Sequence, residues 1–431
     1  MLRQVLKQSK FFRDFVAYVP STVVPLITAL GSLLIFVRLM SLPMYGEFVI
    51  ALATVNITVQ FFSEWLSTTT LRLYGEAKQN EEAVPLLAAL IVCLGVELVL
   101  CNFVVVGSLL VYRQTSFLLW SCVLTTLMTI GRFTTSILRA DHRKTYYVWA
   151  TAGTAILGFA MSMTLLVAFH RPELILAGTA AGTALQLLPF LLPLPRKGLA
   201  AALRGDVSKQ QVKSILAFGM PVMLSGVGAQ LLTFADRFML AKMSGPAEAG
   251  LYSANYSVGE KAIGMVFAPI CTASYPLVVR AWGEANWREA GKVLQHASRL
   301  YLLYAIPACI VLALFSREIS LRILTQPFVG AHAVIPLVGF GIVAWNLGTM
   351  FHFGLEMQKQ PLLITIMVVV AAVLNVGLNL VWIPRYGAMG AGWATFLSYL
   401  AYAIMAWLVN ARVVHFHWFP LYRPAAIPPV S

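Results

Sequence analysis

Charge is what this sequence has least of. Only 11% of its 431 residues are Asp, Glu, Lys or Arg, against about 25% in a soluble globular chain. Together with 59% hydrophobic residues and a mean hydropathy of +0.79, this excludes an ordinary soluble domain and defines an integral membrane protein. Acidic residues are the scarcer sign, 17 against 31 basic, for a net charge of +14. The basic residues fall in short loops between apolar runs, not on one face or tail. That pattern excludes nucleic-acid binding and follows the positive-inside rule. Cysteines are few. Cys93, Cys101, Cys122, Cys271 and Cys309 all lie in apolar runs without metal-type spacing, so neither a metal site nor a disulfide framework is indicated. Enzyme signatures are missing as well. There is no phosphate-cradling Gly-rich loop with its Lys, no H-E-x-x-H and no nucleophile elbow. No polar loop is long enough for a nucleotide-binding domain. Energy for any transport must come from an H+ or Na+ gradient or from the substrate's own gradient.

What is present is a series of long apolar runs. A bilayer core of about 30 Å needs about 20 helical residues. With that ruler the sequence predicts twelve spans: 15–38, 47–68, 84–110, 115–137, 146–169, 174–194, 214–236, 249–277, 298–316, 334–355, 362–383 and 388–410. The basic start, MLRQVLKQSKFFRDF, leads into a long first span and reads as a retained helix, not a cleaved signal. Arg3, Lys7, Lys10 and Arg13, then Arg72 and Lys78, then Arg139, Arg143 and Lys144 share one side. This bias predicts both termini in the cytoplasm.

The longest polar connection, PRKGLAAALRGDVSKQQVK, divides the spans six and six. It predicts an N-terminal lobe over 1–195, a cytoplasmic linker over 196–213 and a C-terminal lobe over 214–431. The halves resemble each other. Arg72-Leu-Tyr-Gly-Glu-Ala77 closes the second span and Arg280-Ala-Trp-Gly-Glu-Ala285 the eighth. Tyr45-Gly46 follows the first span, and Gly250 with Tyr252 follows the seventh. Small-residue runs open the sixth span at Gly178–Gly182 and the twelfth at Gly390–Gly392. An even number of spans per unit makes such repeats parallel, related by an axis along the membrane normal. The fold class expected is therefore all-α, with twelve transmembrane helices in two pseudo-symmetric six-helix bundles enclosing a central cavity.

Ionised residues inside the spans are the functional signal. A charge at the centre of a membrane helix costs about 2.5–3.5 kcal/mol on insertion scales, and such residues mark substrate or ion pathways. Arg132, Arg237 and Lys261 are the candidate cavity cations, suited to an anionic headgroup because arginine stays charged and grips phosphate with a planar fork. Glu64, Asp236, Glu260 and Glu356 are candidate counter-charges or proton carriers. Asp236 and Arg237 could also simply neutralise each other at a helix end. Polar stripes at helical spacing run along four spans: Asn56, Gln60, Ser63 and Ser67; Ser121, Thr125, Thr129, Arg132 and Ser136; Gly226, Gln230, Thr233 and Arg237; Trp345, Thr349, His352 and Glu356. Lipid rejects such faces, so they should point inward. Gln60, Thr129, Gln230, Thr233, Asn255 and His352 are the polar residues expected to line the cavity, although single hydroxyls also serve as interhelical glue. Glu97, alone in an apolar run, reads as packing.

Three segments carry a family resemblance. Val37-Arg-Leu-Met-Ser-Leu-Pro-Met-Tyr-Gly-Glu-Phe48 resembles the early loop of bacterial polysaccharide flippases. Asp236-Arg-Phe-Met-Leu240 with Gly250-Leu-Tyr252 is similar to their seventh-span signature, and the stretch from Asn379 to Ala391 to the segment between their last two core spans. The chain thus resembles the O-antigen flippases (Wzx-type) of the multidrug/oligosaccharidyl-lipid/polysaccharide exporter superfamily. The resemblance implies a V-shaped pair of lobes in the bacterial inner membrane. It implies alternating-access transfer of an undecaprenyl-pyrophosphate-linked oligosaccharide from the cytoplasmic to the periplasmic leaflet. Membrane lipids surround such a protein, and a polysaccharide polymerase and glycosyltransferases are its expected partners. Peptidoglycan-precursor flippases of the superfamily usually have extra spans, which this sequence lacks. The alternatives are a cation-coupled multidrug exporter of the same superfamily, or a multispanning polysaccharide polymerase or ligase. The first span has no carboxylate for the former, and no external loop is long enough for the latter.

Overall fold

A computed structural model describes residues 2–79, 82–141, 143–205 and 207–413. Side chains of residues 1–19 lie outside the description, and with them the basic N-terminal set, as does Arg423. The described chain is helical from end to end. In order come α1 (Leu2–Leu39), α2 (Leu42–Gln79), α3 (Ala83–Val111), α4 (Leu118–Ala140), α5 (Lys144–Phe169), α6 (Glu173–Thr183), α7 (Pro193–Leu203), α8 (Lys209–Met243), α9 (Pro246–Gly283), α10 (Trp287–Leu314), α11 (Ser316–Ile319), α12 (Val334–Met357) and α13 (Pro361–Val413).

Among the described residues, eight helices are long and apolar enough to cross a membrane. They are α2 to α5, α9, α10, α12 and α13, and α13 holds two predicted spans. The other three predicted spans coincide with α1, with α8, and with α6 continued by a 3-10 segment over Ala184–Leu191. The sixth span is therefore not one α-helix. Pro189 lies in the 3-10 stretch, where its missing N–H and fixed φ oppose α-helical continuation. Helices α2 and α9 each run 38 residues, about 57 Å at 1.5 Å per residue, and so project well beyond the apolar core.

The chain divides into two units. One comprises residues up to Met40 with Glu47–Gly226; the other comprises Ser41–Gly46 with Val227 onward. The division falls inside α8, not in the 196–213 connection. The physical reason is packing on the first unit. Ile215 is fully buried there with Trp65, Leu66, Tyr74, Leu87, Leu90 and Phe133, and Gly219 lies so close to Trp65 that a Cβ would stand 2.1 Å from the indole. The connection itself carries α7, which seats Gly198 on Leu87 of α3.

Small residues set the close approaches. A Cβ on Gly178 would stand 2.2 Å from the Ser162 backbone nitrogen, and one on Gly182 2.4 Å from that of Gly158. The small-residue run of the sixth span is thus the seam between α5 and α6, sealed by the Ser162 hydroxyl donating to the Ile175 carbonyl at 2.8 Å. In the second unit α13 reverses at Gly387 (φ 52°, ψ −131°). The Glu248 carboxylate accepts from the Ala388 N–H at 3.1 Å and serves the helix start that follows.

Candidate functional site

In the first unit the charged residues of α2 and α4 come together. Arg132 Nη1 donates to Glu64 Oε2 at 3.0 Å, and the two side chains remain 30% and 63% exposed. An ion pair this open would face acyl chains only at heavy cost. One residue away, Ser63 donates to the Thr129 hydroxyl at 3.3 Å in a buried contact. Gln60 is half-buried one turn before Glu64. The α4 stripe therefore splits. Ser121, Thr125, Thr129 and Ser136 are buried among neighbouring helices, while Arg132 alone reaches an open face. The expectation that Thr129 lines a cavity gives way to a packing role, because its hydroxyl is occupied by Ser63.

Glu97, expected from the sequence to serve packing, is an ionisable side chain enclosed among the helices of this unit. It sits in mid α3, 3% exposed, and neither carboxylate oxygen has a hydrogen-bond partner. Ser63 from α2 and Arg132 from α4 are its polar neighbours. The signal was an acidic residue alone in an apolar run.

In the second unit α8 and α9 bring Asp236, Arg237 and Tyr252 together. Tyr252 donates to Asp236 Oδ2 at 2.5 Å, and its hydroxyl lies 3.1 Å from that of Thr395 on α13. Asp236 Oδ1 accepts the Arg237 backbone N–H at 2.7 Å and stands 3.5 Å from the Arg237 guanidinium. That guanidinium also donates to the Thr233 carbonyl and lies over the Tyr256 ring at 4.5 Å. Asp236 is 1% and Arg237 7% exposed. This corrects the assignment of Arg237 as a cavity cation. Its charge is spent on Asp236 and on two aromatic faces and is closed to solvent. Asp236 is the counter-charge of Arg237.

The remaining candidates divide. Asn255 is fully buried. It donates to the carbonyls of Leu251 and Phe328, both at 2.9 Å, and accepts from Ser320 at 3.1 Å. It anchors the 317–333 connection and lines no cavity, because each of its groups is satisfied by that connection or its own helix. His352 Nδ1 lies 2.6 Å from the Tyr402 hydroxyl, and exposed Glu356 accepts from Tyr275 at 2.8 Å. Thr233 donates to the Ala229 carbonyl at 2.8 Å, its own preceding turn. Gln230 is half-buried, with an unpartnered Oε1. Glu260 and Lys261 are half-buried on α9. Of the three cations, Arg132 presents its charge at an open face of the first unit, and Arg237 and Lys261 belong to the second.

An all-helical chain of two multispan units, with ion pairs held inside its spans, has the build of a multispanning membrane protein. Solved structures agree at the level of fold. An inward-facing multidrug resistance MATE family transporter of the MOP superfamily aligns with a TM-score of 0.74 over 92% of this chain and 98% of its own, at 13% identity. The lipid II flippase MurJ in an inward closed conformation aligns with a TM-score of 0.69 over 92% and 87%, at 14% identity. Residues 83–424 match the family model described as lipid II flippase MurJ. The chain belongs to that family. Among curated relatives it is similar to a probable low-salt glycan biosynthesis flippase, Agl15, of Haloferax volcanii, 23% identical over 46% of this chain and 42% of that one. The chain spans less than half the length of the curated relatives it matches. The family model that matches is thus not the Wzx-type group to which the motif likeness pointed; the two share the superfamily.

Proposed function

We propose that the chain is a flippase for an undecaprenyl-pyrophosphate-linked oligosaccharide repeat unit. It carries the unit from the cytoplasmic to the periplasmic leaflet of a bacterial inner membrane by alternating access, for O-antigen or exopolysaccharide synthesis. Membership of a flippase family supports the transport step, and the likeness to a glycan biosynthesis flippase supports the saccharide cargo. Glycosyltransferases act before it and a polymerase after it, with both termini in the cytoplasm.

The observation that carries this reading is the open Arg132–Glu64 pair. A guanidinium held by one carboxylate contact keeps donors free for an incoming anion. A pyrophosphate, with more charge and better bidentate geometry than Glu64, competes for it. Arg132→Ala should therefore insert normally and abolish surface polysaccharide, while Arg132→Lys keeps part of the activity. Normal export by Arg132→Ala at normal protein level would overturn the assignment. A cationic dye transported in place of the lipid-linked sugar would favour the multidrug alternative.

A further inference from the structure

Glu64, Arg132 and Glu97, on α2, α4 and α3 of the first unit, form one arrangement, and of the three only Glu64 and Arg132 are paired with each other. Arg132 is held by Glu64 on the open side at 3.0 Å. Glu97 lies on the closed side with both oxygens unpartnered and 3% exposed. An ionised carboxylate buried without donors costs several kcal/mol or more, so such a group takes up a proton instead. The nearby Ser63 has one hydrogen to offer, which Thr129 also claims at 3.3 Å, and a single hydroxyl does not balance a buried charge. Other groups around Glu97 add no cation. Cys93 and Cys101 lie on its own helix, where the acid acts on both. From α4 the charged group that acts on Glu97 is Arg132, with Arg139 about two turns further along. Helix α2 brings Glu64 to Arg132, with Arg72 and Lys78 toward its far end. Helix α7 meets α3 at Leu87, about 15 Å along the helix from Glu97 at 1.5 Å per residue.

The geometry points to Glu97 as a proton-binding site, a carboxylic acid held neutral while Arg132 is engaged by Glu64 and ionised when Arg132 turns to it. The exchange balances within the three groups. Arg132 leaves the Glu64 carboxylate, the Glu97 O–H bond breaks, and its proton passes to the Glu64 carboxylate that Arg132 has vacated. Arg132 then pairs with the new Glu97 carboxylate. Glu64, at 63% exposed, exchanges its proton with water. No further reactant is needed. An anion that holds Arg132 on the open side keeps Glu97 protonated, and by reciprocity a proton on Glu97 favours the anion. This last link rests on the proposed function; the proton site itself does not.

The test is infrared spectroscopy of the full chain in lipid nanodiscs at stepped pH, without substrate. The wild type should show the carbonyl stretch of a protonated carboxylic acid at neutral pH. Glu97→Gln should remove that band, and Glu64→Gln, which frees Arg132 to turn to Glu97, should lower the pH at which the band is lost. Arg132→Ala, which removes the partner that ionises Glu97, should hold the band to higher pH, and this variant decides the matter even if Glu97→Gln fails to fold. A wild-type spectrum without the band, a band that survives Glu97→Gln, or one whose pH midpoint ignores Arg132→Ala would each overturn the site. Inorganic pyrophosphate as probe should raise the midpoint. An unmoved midpoint with the band intact overturns the substrate reading and leaves the proton site standing.

Discussion

Gly46 and Gly250, which occupy equivalent places in the two halves of the sequence, meet in the fold. A Cβ on Gly250 would stand 2.8 Å from the Gly46 nitrogen, and one on Gly46 would stand 1.8 Å from the Pro246 carbonyl oxygen. The obstacles are backbone atoms, which cannot rotate aside. Gly46→Ala and Gly250→Ala should therefore each destabilise by about 1–3 kcal/mol, as overpacked cores do. Gly75 has nothing within 4 Å of its Cβ position, so Gly75→Ala should be neutral or slightly stabilising. Thermal melting of the detergent-solubilised variants checks all three.

Asp236 and Arg237 should behave as a structural pair. Arg237→Ala alone leaves a carboxylate at 1% exposure without its cation, which costs about 3–5 kcal/mol. Replacing both at once, Asp236→Leu with Arg237→Met, should recover most of that loss. Should the double variant be no more stable than Arg237→Ala, the pair is not what its burial indicates.

Asp141 gives a pH-dependent latch. Burial pushes its carboxyl upward, but hydrogen bonds and charge from Lys78 (2.5 Å) and Arg143 (3.0 Å) outweigh this and hold it below the usual carboxylate range. A folded-state value below the unfolded one stabilises above the unfolded pKa of about 3.9 and is lost as pH falls through the folded value. Asp141→Asn should therefore cost stability at neutral pH, by under about 1 kcal/mol because its partners are solvated. The difference from wild type should vanish in acid, as read by melting across a pH series.

Gly387 carries a backbone conformation that disfavours any Cβ. Gly387→Ala should cost about 1–3 kcal/mol. Glu248→Ala, which removes the acceptor for the Ala388 N–H, should cost about 1 kcal/mol, and Glu248→Gln less, since an amide oxygen still accepts. Equal losses from Glu248→Gln and Glu248→Ala would mean that the hydrogen bond is not what matters there.

Span positions were legible because bilayer thickness imposes one length on apolar helices. What periodicity could not tell is which charges stay open. Arg132 and Arg237 look alike in sequence, each on a polar stripe. They differ because Tyr252, Tyr256 and Thr395 arrive from α9 and α13, distant in sequence, to close one of them in. The division inside α8 was hidden for the same reason, since Trp65 and Ile215 are far apart along the chain. The place of Glu97 is not legible because isolation in sequence says nothing about which groups arrive from other helices, here Ser63 and Arg132.

The reversal at Gly387 is so tight that a Cβ on Gly390 would lie 2.4 Å from the Trp382 carbonyl oxygen. No slack emerges between these two crossings. An epitope tag or protease site inserted there would break the turn before it could report on sidedness. Orientation mapping on that face should use the 317–333 connection instead, and outside its π-turn at Ser320–Leu324.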